Sequence, residues 1–209
     1  MYEHAQEYGL VYRSRPPYEV MASKWVSYDE MLEIRLVEEM LELHYNSGQF
    51  LTYLAVLEWK YDSTFQMFLD MGHFYREHGY LDCSHSRVRR TEIVQEFAEI
   101  VDPERRDIYR EALIFDLYKI EKSKSRPFWA KNVQQDKRQT GKYLREHGME
   151  KKYCHFEYFE HINEKGEITE EKAPLCLLFD YRNRDSLTNE AALFRIDEMG
   201  LQSGCGGVQ

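Results

Sequence analysis

Residues 151–166, KKYCHFEYFEHINEKG, are where the chain changes its period, and that change decides the fold class. Tyr153, His155, Glu157, Phe159 and His161 alternate with Cys154, Phe156, Tyr158, Glu160 and Ile162. The second set is the more apolar, which predicts a β-strand with one covered face. Asn163-Glu164-Lys165-Gly166 reads as a turn ending in glycine. Downstream, Leu175-Cys176-Leu177-Leu178-Phe179-Asp180-Tyr181 is a dense apolar run that reads as a central strand, and Ala192-Leu193-Phe194-Arg195-Ile196 as a third. Three strands with short connections predict an antiparallel meander.

Upstream of Gly148 the apolar spacing is near 3.6 from Ser27 onward. Ser27 and Glu30 form a capping box, in which each side chain satisfies the other's free backbone N–H. Behind it Met31, Ile34, Val37 and Leu41 make a stripe widened by Leu32, Leu36, Met40 and Leu43, stopped at Asn46-Ser47-Gly48. A second helix carries Phe50, Tyr53, Leu54, Val56 and Leu57. A third starts at Asp62-Ser63-Thr64, carries Phe65, Phe68, Leu69 and Phe74, and ends at Gly79. Ser86 opens a fourth, with Val88, Val94, Phe97 and Val101 inward. Asp102-Pro103 opens a fifth, because a first-turn proline lacks only an N–H that would have no partner there; Ile108, Ala112, Phe115 and either Leu117 or Tyr118 are its core. Pro127-Phe128-Trp129 is a break with two rings expected to dock on the helices. A sixth helix spans about Asp136 to His147. The reading is α+β: a helical bundle of about six helices over residues 21–150, with an antiparallel β-meander over 151–200 packed on it. Residues 201–209 are expected to form a disordered tail. Residues 1–20 read as an N-terminal arm, or as the tail of something larger: a helix end closed by Gly9, an extended step at Leu10–Arg13, and an extended exit at Arg15-Pro16-Pro17-Tyr18.

With 209 residues, 43% hydrophobic and 31% charged, the composition is that of a globular domain. No apolar run approaches the ~20 residues of a membrane helix, and no secretory leader is visible. The formal charge of −9 disfavours general binding to nucleic acid or an anionic membrane. Cys83, Cys154, Cys176 and Cys205 are scattered, the usage of reduced thiols in a cytoplasmic protein.

Few constellations carry chemistry. Cys83 with His85, and Cys154 with His155, lack zinc-site spacing and read as isolated side chains. Glu38, Glu39 and Glu42 read as the wet face of a helix. Arg87, Arg89 and Arg90 form a basic knot, and Lys119, Lys122, Lys124 and Arg126 a second. Neither is interleaved with aromatic platforms, so helix-end solvation or docking on an acidic partner is the better reading. Phe179-Asp180-Tyr181-Arg182-Asn183-Arg184-Asp185 is the most informative polar stretch. Its arginines suit a clamp on a carboxylate or phosphate, but an ion-paired strand exit is favoured.

Glu7-Tyr8-Gly9-Leu10-Val11-Tyr12, Pro16-Pro17-Tyr18-Glu19-Val20, Lys24-Trp25-Val26-Ser27-Tyr28 and Tyr45-Asn46-Ser47-Gly48-Gln49-Phe50, with the run at 179–185, resemble a known region. It is the C-terminal region of unknown function that follows the catalytic barrel in cobalamin-binding radical SAM proteins, the Fe–S oxidoreductases. The resemblance implies an upstream cobalamin domain and a barrel holding a [4Fe–4S] cluster and S-adenosylmethionine, with residues 1–20 as the barrel's tail. The cluster motif CxxxCxxC is absent from this chain, as is the DxHxxG cobalamin loop, so no cofactor is expected on it. The implied role is a non-catalytic accessory domain that caps the barrel or recognises an unknown substrate. Trp25, Tyr45, Gln49, Asp180 and Arg182 are candidates for the barrel- or substrate-facing surface. A stand-alone helical interaction module is the alternative.

Overall fold

The computed structural model describes residues 4–131 and 137–196. Cys205 and the expected tail at 201–209 lie outside the described residues. The fold is α+β: the described residues form six α-helices and a three-stranded antiparallel sheet at the C-terminal side. The chain divides into two compact units, and it visits each of them twice.

The first unit comprises residues through Ser47 together with Ser63–Cys83. It begins with a small hairpin of β1 (Val11–Tyr12) and β2 (Val20–Ala22), paired antiparallel. The extended exit expected at Arg15–Tyr18 is instead the turn of this hairpin. Tyr18 N–H donates to Arg15 O at 3.2 Å, and the paired strands on either side show that the chain reverses here. α1 (Tyr28–Met40) starts at the capping box: Ser27 Oγ accepts Glu30 N–H at 3.2 Å and Glu30 Oε2 accepts Ser27 N–H at 2.7 Å. It continues through one π-helical stretch, Leu41–Asn46. Leu36, Val37, Met40 and His44 are buried, while Leu41 and Leu43 are only half-buried and Leu32 and Ile34 are exposed. α3 (Thr64–Glu77) packs on α1, capped by Ser63 Oγ on Gln66 N–H. Gly72 permits the approach, since a methyl group there would run into Leu36. Phe65, expected in the core, is exposed.

The second unit comprises Gly48–Asp62 and the chain from Ser84 onward. α2 (Leu51–Leu57), α4 (Arg87–Val101) and α5 (Arg106–Ile120) pack together, with α5 touching both of the others. Pro103 starts a short 3-10 turn, Pro103–Arg105, ahead of α5. α6 (Lys137–Glu146) ends at Gly148, whose φ is +62°. The sheet follows in the order β3 (Cys154–Phe159), β4 (Leu175–Arg184), β5 (Ala191–Ile196). The expected single covered face is corrected, because both faces are buried. Phe159, Leu175, Leu177 and Phe179 pack with Ile114, Phe115, Leu117 and Tyr118 of α5. Cys154, Phe156, Cys176, Leu178 and Ile196 pack with Leu144 of α6 on the other face. A strand covered twice need not alternate apolar with polar, which is why the run at 175–179 is apolar throughout. Of the two rings expected to dock at 128–129, Trp129 packs against the α5-facing cluster and Phe128 is 80% exposed.

Candidate functional site

The turn before α1 turns an aromatic group outward. Ser23 N–H donates to Val26 O at 2.8 Å, and Ser23 Oγ accepts the N–H groups of Trp25 and Val26, which folds the chain tightly. Trp25, at 64% exposure, lies with its ring centroid 5.6 Å from that of Tyr8. Lys24 Nζ lies 4.4 Å from the Trp25 centroid and 5.5 Å from that of Tyr8, within cation–π range of both. It also donates to Glu7 O at 3.1 Å. Tyr18, Tyr28 and Tyr45 of the same unit are exposed as well. Gln49 belongs to the second unit and is half-buried.

Asp180 and Arg182 do not act as a pair of side chains. Asp180, 3% exposed, accepts Arg182 N–H at 2.9 Å and Asn183 Nδ2–H at 2.7 Å, which closes the irregular register between Asp180 and Arg184. The Arg182 guanidinium lies in solvent, 3.4 Å from Glu150. Arg184 donates to Ile120 O at 2.8 Å and Asn189 O at 2.6 Å and sits over the Tyr181 ring. The two arginines are engaged with different partners and form no shared clamp.

The most connected polar cluster was not singled out from the sequence. Glu157, on β3 and 2% exposed, meets the Arg126 guanidinium in two contacts, Nη1–Oε2 at 2.6 Å and Nη2–Oε1 at 3.2 Å. His155 Nε2 lies 3.0 Å from the same Oε2, and its ring stacks on Tyr118 at 3.7 Å. Arg126 also donates to Tyr118 Oη and to Lys131 O, and Tyr181 Oη–H donates to Tyr118 O at 2.6 Å. Burial pulls the Arg126 proton affinity down, but the hydrogen bond and charge of Glu157 outweigh it and hold the guanidinium above its usual pKa. The Glu157 carboxylate is saturated by these partners, so the cluster ties the loop after α5 onto the sheet. Its sequence signal was a glutamate at an inward strand position, legible only once the second covered face is known.

Among the described residues no three His, Cys, Asp or Glu side chains converge as a metal site. Burial pushes the Cys176 thiol up to about 12, whereas Cys83 is exposed. Two open hollows flank the sheet, one of about 470 Å³ beside Asn183, Asp185 and Thr188, the other of about 310 Å³ beside Asn163, Lys165 and Pro174. No helix among the described residues is long and apolar enough to cross a membrane.

Searches of curated proteins and of solved structures find no significant match. A family model does match, over residues 6–179, and it spans the hairpin, the six helices described above, the first strand of the sheet and the first half of the second. On that match the chain belongs to the family of proteins of unknown function DUF4080.

Proposed function

We propose that this chain is a non-catalytic accessory domain of a cytoplasmic, cobalamin-binding radical SAM iron–sulfur enzyme, capping the enzyme's barrel or recognising its substrate. The observation that carries the reading is the Trp25–Tyr8–Lys24 group, an exposed aromatic surface held rigid by the Ser23 turn. Exposed rings of this kind supply large contact area at low entropic cost, which suits a docking surface better than a solvent face. It lies within two of the segments that carry the resemblance, 7–12 and 24–28. The cluster, S-adenosylmethionine and cobalamin belong, in this reading, to upstream parts of the polypeptide, and this chain contributes their neighbourhood rather than their ligands.

The test is the full-length protein, purified without oxygen, with and without residues 21–209. Cluster absorbance, cobalamin content and S-adenosylmethionine cleavage are compared. Retention of all three with loss of turnover identifies a substrate-recognition cap, and loss of the cluster identifies a brace for the barrel. A truncated enzyme that behaves as the intact one in every respect overturns the proposal. A reading frame that does not continue upstream through CxxxCxxC favours a stand-alone interaction module instead.

A further inference from the structure

The inner side of α1 and its π-helical continuation is given by the buried residues Leu36, Val37, Met40 and His44, and α1 packs on α3. The other side stands in solvent. Two rows at three- and four-residue spacing run along it, Tyr28–Leu32–Arg35–Glu39 and Ile34–Glu38–Glu42. Tyr28 is 46% exposed, Ile34 43% and Leu32 39%. Glu38, Glu39 and Glu42 are exposed as well. Both rows are therefore apolar toward the N-terminal end of the helix and acidic toward its C-terminal end. Arg35, between the two, is held by Glu19 at 2.9 Å.

The charge on this face is uncompensated. In the second unit, Glu92 and Glu96 meet Arg89, Glu99 meets Arg110, and Glu157 meets Arg126. Among the described residues Glu38, Glu39 and Glu42 have no ion-pair partner, and Glu42 accepts only Asn46 Nδ2–H, at 2.7 Å. Glu38 and Glu42 are like charges four positions apart, which is mildly unfavourable. The last turn of α1 also holds no base to complement the negative end of the helix. A cation supplied from outside relieves both.

We propose that the outer face of α1 docks an amphipathic helix of a partner protein, one that carries Lys or Arg beside its apolar stripe. The partner's apolar side chains cover Tyr28, Leu32 and Ile34, and its cations meet Glu38, Glu39 and Glu42. Large apolar side chains grouped on one exposed face mark an interaction surface, and rows at this spacing are the ridges against which another helix packs. The glutamates select the occupant. A second copy of this chain, meeting the face through a two-fold contact, would bury the same carboxylates with no cation between them. An anionic membrane would be repelled. A basic helix matches both halves of the face. The inference does not rest on the accessory-domain reading and stands whether or not a barrel lies upstream.

The experiment titrates the full chain into a fluorescent synthetic helix of about five turns, roughly 18 residues, with leucines along one side and lysines flanking them. A scrambled peptide of the same composition and a version with every lysine replaced by glutamate are the controls. Anisotropy reads affinity, and backbone amide resonances of the unsubstituted chain read location. Saturable binding of the amphipathic basic peptide is expected, with the amides of residues 28–42 shifting to a plateau. Reversing the charge with Glu38→Lys, Glu39→Lys and Glu42→Lys together should weaken it by at least about tenfold, and so should Leu32→Ser with Ile34→Ser. All five side chains are exposed, so the fold tolerates these changes. Glu104→Lys and Leu187→Ser, at exposed positions of the second unit, should leave the affinity unchanged. No saturable binding, equal binding of the scrambled peptide, or indifference to the charge reversal would overturn the proposal. So would a dimer in sedimentation that Leu32→Ser with Ile34→Ser abolishes, since it would assign the face to a second copy.

Discussion

Asp116, on α5, accepts the backbone N–H of Tyr53 at 2.9 Å across 63 positions of sequence, and that of Thr52 at 3.1 Å. These are first-turn donors of α2, whose own N-cap, Phe50, supplies no side-chain hydrogen bond. One helix thus caps another. Lys119 Nζ sits 3.5 Å from Asp116 and 3.1 Å from Glu190, joining the cap to the start of β5. Asp116→Ala removes both acceptors and should cost about 2–3 kcal/mol. Urea-unfolding midpoints check it, and a change within about 0.5 kcal/mol would show that the cap is dispensable.

The Arg126–Glu157 pair gives a second test. With Glu157 at 3% and Arg126 at 25% side-chain exposure, removing one partner strands the other. Glu157→Ala should destabilise by about 3 kcal/mol, and the Arg126→Met, Glu157→Met double variant by less than the sum of the single changes. Hydrogen exchange over residues 121–131 should quicken in the single variants, because that loop loses its tie to β3. Simple additivity would argue against a coupled pair.

Gly166 and Gly148 both hold positive φ, +80° and +62°, but only Gly166 lies against a ring, that of Phe115. Gly148→Ala should cost about 1 kcal/mol from backbone conformation alone. Gly166→Ala should cost at least about 2 kcal/mol, since the methyl group also displaces Phe115. Equal melting temperatures for the two variants would refute the contact.

Burial raises the Glu111 carboxyl above its ordinary range, although that carboxylate accepts Glu160 N–H at 2.9 Å and His161 N–H at 2.7 Å. An acid raised on folding binds more proton in the folded state, so its contribution falls as pH rises from the unfolded value through the folded one. Glu111→Gln keeps an acceptor but cannot ionise. Its stability relative to the parent chain should therefore improve as pH rises above about 4.3. Parallel stability–pH curves for the two proteins would contradict the shift.

Trp25→Ala should leave the stability of the chain within about 0.5 kcal/mol, because the ring lies mostly in solvent. On the accessory-domain proposal, the same substitution in the longer protein should lower turnover or loosen the proposed barrel. Limited proteolysis and turnover assays read it, and unaltered behaviour in both would remove Trp25 from the proposed docking surface.

Much of the architecture was legible from local pattern. The capping box at Ser27 and Glu30, the caps at Ser63 and Ser86, the stop at Gly148 and the change of period beyond it all stand in the structure. For the candidate residues the structure gives positions rather than roles. Trp25 and Tyr45 are exposed, and Arg182 and Arg184 take different partners beyond the irregular register after Asp180, in keeping with the favoured reading of an engaged strand exit rather than a clamp. Nothing in the letters marked Arg126 as the partner of Glu157, since they lie 31 positions apart and meet only when the loop after α5 closes on β3.

By itself the sequence determined the six helices and the three strands of the C-terminal sheet, since side-chain spacing and end-capping act within a few residues, whereas the hairpin strand at Val20–Ala22 was not legible in it. Tertiary structure alone decided that both faces of the sheet are covered, that α2 borrows its cap from Asp116, and that Phe128 stays in solvent while Trp129 packs. Those outcomes depend on which apolar surfaces meet and which buried charges find partners, and both are set by the assembly of distant segments rather than by any local stretch.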